Sequence, residues 1–121
     1  MDQPASDPRY APLLARRVPP EEIVAGVAYV IHARNGGIGV AVMADGRIGY
    51  RLRREKMGRV FLFVEWDWDE GPPHGTVVPL GRIDEAPPAG DDAALLRWLA
   101  EKEEEHADET RAAWDVVLGR A

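Results

Sequence analysis

Residues 92–118 read DAALLRWLAEKEEEHADETRAAWDVVL, a run that holds neither Gly nor Pro. Working back from it, the chain between Val27 and Ile83 has short apolar runs cut by Gly-containing turns. A change of apolar period from 2 to about 3.6 near residue 90 predicts an antiparallel sheet followed by one long C-terminal helix. The fold class expected is therefore α+β: a five-stranded, strongly twisted meander backed by a helix, with an SH3-like barrel as the alternative.

The strands follow from turn chemistry. Val27 to Ala33 alternates up to Asn35-Gly36-Gly37, a tight turn, and strand two spans Ile38 to Ala44. Asp45-Gly46 supplies the residues of a type I′ hairpin before strand three, Arg47 to Arg53. A three-residue loop closed by a left-handed Gly58 sets Arg53 opposite Arg59, Leu52 opposite Val60, Tyr50 opposite Leu62 and Arg47 opposite Glu65. Strand four runs from Val60 to about Trp68, with Leu62, Val64, Trp66 and Trp68 on one face. Phe61 and Phe63 lie on the other, so its first half is expected to be covered on both sides. Strand five, Thr76 to Ile83, contains Pro79, which marks an edge or a bulge.

Domain organisation is expected as one unit: a Pro-rich arm over 1–22, a sheet over 23–85, a linker over 86–91 and the helix over 92–119. With 121 residues, a second core would leave each too small to stabilise itself. The arm is expected to dock partly, through a helical turn around Pro12 to Arg16, on its own chain or a neighbour. Asp91 or Asp92 is the expected N-cap and Gly119 the stop. Because the helix is apolar at both ends and charged in the middle, a break near His106 or a contact with a second subunit is expected.

Composition bounds the function. The apolar fraction of 45% and charged fraction of 30% suit a globular protein, and there is no cysteine for disulfides or thiolate metal sites. Met1 to Ser6 lacks the basic and apolar regions of a secretory signal, so the expectation is a cytoplasmic protein. The longest nonpolar stretch, Ile38 to Ala44, is far below the ~20 residues that span a bilayer, so no membrane segment is expected. A net charge of −6 disfavours long-range attraction to nucleic acid or anionic lipid. Ser6 is the only serine and Thr76 and Thr110 the only threonines, which removes Ser–His and Cys–His catalysis.

Four constellations remain. Glu103-Glu104-Glu105-His106 has the carboxylate–His spacing of di-iron bundles, but no second such pair exists, so it reads as a solvated face; no metal or cofactor is expected. Glu65-Trp66-Asp67-Trp68-Asp69-Glu70 places acids beside aromatics, and Trp66, Trp68, Asp67 and His74 form a candidate ligand pocket; the competing reading is core tryptophans and rim acids. Arg47, Arg51, Arg53, Arg54, Lys56 and Arg59 make a basic stretch in which Arg51 and Arg53 are candidate nucleic-acid contacts. The acidic helix offers these arginines partners within the chain, and could instead mimic a nucleic acid. His32 and His74 read as structural.

The function expected from all this is a small non-enzymatic protein that binds another protein or a copy of itself as a homo-oligomer, most simply a dimer. Trp98, Trp114, Val117 and Leu118 are the expected anchors, since aromatics dominate interface energetics. The alternatives are a small-ligand-binding or weakly hydrolytic protein at the Trp66/Trp68 pocket, and nucleic-acid binding or mimicry.

Overall fold

The computed structural model describes residues 8–34, 36–44, 47–54, 56, 58–65, 73–80 and 91–119, with backbone alone at 44 and 63–65. Helix α1 (Tyr10–Arg16) leads, through a single 3-10 turn at Pro20–Glu22, into strands β1 (Tyr29–His32), β2 (Ile38–Ala44), β3 (Arg47–Arg54), β4 (Gly58–Glu65) and β5 (Val78–Pro79). Helices α2 (Asp92–Glu105) and α3 (Ala107–Val117) close the chain. The strands form one antiparallel sheet in the order β4-β3-β2-β1-β5, so the α+β class is as the periodicity implies. β1 to β4 are sequential hairpins. β5 does not follow β4 but returns to the far edge beside β1, and with β4 and β5 at opposite edges the sheet is open rather than closed into a barrel.

Turn chemistry sets the register. All four pairs expected between β3 and β4 are present, from Arg53 with Arg59 to Arg47 with Glu65. Gly58 sits at φ 66° and Gly36 at φ 90°, backbone angles that a Cβ disfavours. Pro79 lies on an edge strand, where its missing N–H leaves no ladder bond unmade inside the sheet.

Both faces of the sheet are buried. On one, Val30, Val40, Val42 and Val78 pack against Leu13, Leu99, Ala113, Val116 and Val117 from the three helices. On the other, Tyr29, Ile31, Ala41, Ile48, Tyr50 and Leu52 pack with Ile23, Val27 and Val77. The alternation of β3 divides its residues between them: Ile48, Tyr50 and Leu52 go to the second cluster, leaving Arg47, Arg51 and Arg53 on the helix side.

The described part of the N-terminal arm, from residue 8 onward, docks on its own chain. Leu13 is buried, the Tyr10 hydroxyl donates to Asp115 Oδ2 at 2.7 Å, Arg16 pairs with Glu109 at 3.3 Å, and Val18 bridges Val77. Asp91 caps α2 by accepting from the Ala94 N–H at 3.0 Å. The expected single helix breaks at His106 (φ −113°, ψ 37°), and Gly119 ends α3 at φ 77°. The break answers the geometric problem of two separated apolar ends, since α2 packs across β3 and β2 while α3 packs against β1, β5 and α1.

Candidate functional site

Three features meet where α2 ends, α3 begins and β3 pairs with β4. The first is a buried carboxylate. Leu95, Leu99 and Glu103 recur at intervals of four along α2 and all three are buried, so Glu103 occupies the place of a third core residue. Its Oε1 accepts from Arg51 Nη1 at 3.1 Å and Arg59 Nη1 at 2.7 Å, one arginine from each of two neighbouring strands. Glu103 Oε2 has no hydrogen-bond partner. A second clamp, Arg47 to Asp92 through two bonds of 2.9 and 3.1 Å, holds the start of the same helix. The acidic helix is thus the intramolecular partner of the basic strand, as the charge pattern implied.

The second feature is a cleft of about 290 Å³ bounded by Arg51, Arg53 and Arg59 of the sheet and by Glu103, Glu104, Thr110, Arg111 and Trp114 of the helices. Arg53 lies over the Trp114 ring, 5.0 Å from its centroid, a cation–π contact. Thr110 is 2% exposed, and its Oγ1 has no partner.

The third is the outer edge of β4. Phe61 is 48% exposed, with the Arg51 guanidinium 5.6 Å from its ring centre. Coverage of Phe61 on both sides of the sheet was the expectation, and the structure corrects it. Its β3 partner is Arg51, which turns toward Glu103 instead of supplying an apolar neighbour.

The expected anchors are held by the chain itself to different degrees. Val117 is buried; Trp98, Trp114 and Leu118 are half-buried, and both tryptophans pack against the helix-side core. Lys102 lies over Trp98, 5.6 Å from its ring centre. Trp66, Asp67 and Trp68 lie outside the described residues, so of that candidate ligand pocket only His74 is placed. Its ring sits 4.8 Å from that of His32, and its backbone N–H donates to the His32 carbonyl at 2.8 Å. Among the described residues, no group of three or more His, Asp or Glu is arranged to hold a metal ion. No described helix is long and apolar enough to cross a membrane.

The His32 side chain makes stability depend on pH. Burial, and then the neighbouring His74, lower the pKa of His32 from its ordinary 6.5. Above that value both folded and unfolded chains carry it neutral. As pH falls from 6.5 toward the lowered value, the unfolded chain binds the proton first, so stability declines, and below the lowered value the loss stops growing. Melting temperatures recorded between pH 7.5 and 5.5 are expected to fall with pH, and His32→Gln is expected to flatten that slope.

Sequence reading missed Glu103 as an interior group, because Glu101 to Glu109 looks uniformly solvated. The signal that finds it is its four-residue spacing from Leu95 and Leu99. Arg111 and Thr110 gave no local signal; only the break at His106 brings them to the cleft. Comparison with protein-family models, curated proteins and solved structures finds no match to this chain.

Proposed function

We propose that this chain is a non-enzymatic protein-binding domain that pairs with a second copy of itself along the outer edge of β4. The observation that carries this reading is an edge strand of eight residues, Gly58–Glu65, with a half-exposed Phe61 in its middle. Among the described residues nothing pairs with that edge. A long edge with an exposed aromatic is a template for strand addition, because its free N–H and C=O groups accept another strand without rearrangement. The opposite edge differs: β5 is two residues long and contains Pro79, both of which blunt pairing.

A two-fold axis through the middle of β4 sets the two Phe61 rings side by side and makes the contact self-complementary. Arg59 is paired with Glu103, which it shares with Arg51, and at 41% exposure it keeps access to water, so its charge there is partly compensated. Trp114 lies against Arg53 of β3, one strand in from that edge, and takes no part in the proposed pairing. The non-enzymatic part rests on the absence of a Ser or Cys nucleophile with a base and on the engagement of Glu103 by two arginines.

Size-exclusion chromatography with light scattering tests the reading. The wild-type chain is expected to run at twice the mass of one copy at tens of micromolar, and Phe61→Glu at the mass of one. Trp114→Phe is expected to leave the dimer intact. A wild-type monomer at every concentration, or a dimer that Trp114→Phe dissolves and Phe61→Glu does not, overturns pairing at β4.

A further inference from the structure

We propose that the cleft between β3, β4 and the α2–α3 joint is a binding site for a small phosphate monoester, held chiefly by Arg53 and Arg111. Charge is the first argument. Four arginines line the cleft against the two carboxylates Glu103 and Glu104, leaving two positive charges on a chain whose formal charge is −6. A dianion neutralises that excess, and at neutral pH a phosphate monoester is close to a dianion.

The second argument is how the arginines are used. Arg51 and Arg59 are engaged by Glu103 Oε1, so the cleft wall already holds one oxyanion between two guanidinium groups. Arg53 and Arg111 face the same space, and among the described residues neither has a carboxylate partner; Arg53 makes a cation–π contact with the Trp114 ring. A guanidinium presents a planar fork of donors that fits phosphate oxygens two at a time.

The third argument is size. A volume of about 290 Å³ sits at the lower end of small-molecule sites, which suits a compact monoester. Glu104 opposes an anion, and the ester group is expected to lie toward Trp114, away from it.

Isothermal titration of the full chain with inorganic phosphate, a sugar phosphate, the corresponding neutral sugar and a single-stranded oligonucleotide tests the site. Both phosphate compounds are expected to bind and the neutral sugar is not. Equal affinity for the two assigns the site to the phosphate group alone, and tighter sugar phosphate assigns the ester part to Trp114; both support the proposal. The Arg53→Ala/Arg111→Ala variant is expected to bind at least about tenfold more weakly, the loss of two charge-assisted contacts. Arg17→Ala, outside the cleft, is expected to bind as wild type. Arg111→Ala alone, on an exposed helix position, repeats the test if the double variant does not fold. Binding that survives loss of Arg111 overturns the proposal. So does an absence of phosphate binding by the wild-type chain, or steeply salt-dependent oligonucleotide binding without monoester binding.

Discussion

Glu103→Ala is expected to lower stability by about 3 kcal/mol, because removing one partner of a buried ion pair strands the other in a site built for its neutralisation. The Glu103 side chain is 10% exposed and that of Arg51 17%, so Arg51 has little access to water when its carboxylate is gone. Arg59 is more open and can hydrate, which keeps the loss near the lower end of what such pairs give. For a chain of this size the change corresponds to a fall of roughly 10 °C in melting temperature. Replacing both charges behaves differently. Glu103→Leu with Arg51→Leu extends the Leu95–Leu99 stripe onto an apolar partner, and its stability is expected to lie well above that of Glu103→Ala. Equal losses in the two variants, read from urea unfolding, contradict a buried pair as the fastening between α2 and the sheet.

Gly39→Val is expected to cost about as much, for a steric reason. Gly39 lies opposite Leu52 in the β2–β3 ladder, and a Cβ placed there collides with the backbone carbonyl oxygen of Arg51. Backbone cannot move aside like the end of a flexible side chain, so the strands must separate. Overpacking of this kind costs about 1–3 kcal/mol, and the second branch of Val puts it at the upper end. The strain has a functional reach, since the displaced carbonyl belongs to the residue that binds Glu103. Gly36→Ala is the control: Gly36 has φ 90° but open space around it, so only backbone strain applies, about 1 kcal/mol. If Gly39→Val melts like Gly36→Ala, the close approach of β2 and β3 is not a constraint on the fold.

How much of this was legible in advance depends on the range of the interaction that decides each element. The register between β3 and β4 was readable because a short turn ending in Gly58 fixes it locally. The caps at Asp91 and Gly119 were readable for the same reason. The position of β5 was not, because pairing with β1 across forty-nine or so intervening residues leaves no local trace. The candidate site was legible in parts. Arg51 and Arg53 stood out as charge, and the acidic helix stood out as their partner, yet the single carboxylate that matters, Glu103, was masked by its acidic neighbours. Phe61 was misjudged as covered because strand alternation says which face a residue takes, not whether that face meets an apolar layer.

Amide hydrogen exchange along β4, followed as a function of protein concentration, tests most directly whether this edge is the binding surface. In an antiparallel edge strand, successive amides point alternately toward β3 and outward. At micromolar dilution the inward amides of Gly58–Glu65 are expected to be protected and the outward ones to exchange fast. As concentration rises, the outward amides are expected to become protected in step with the doubling of mass. Outward amides that exchange equally fast at every concentration, while the mass doubles, contradict the account and move the interface elsewhere.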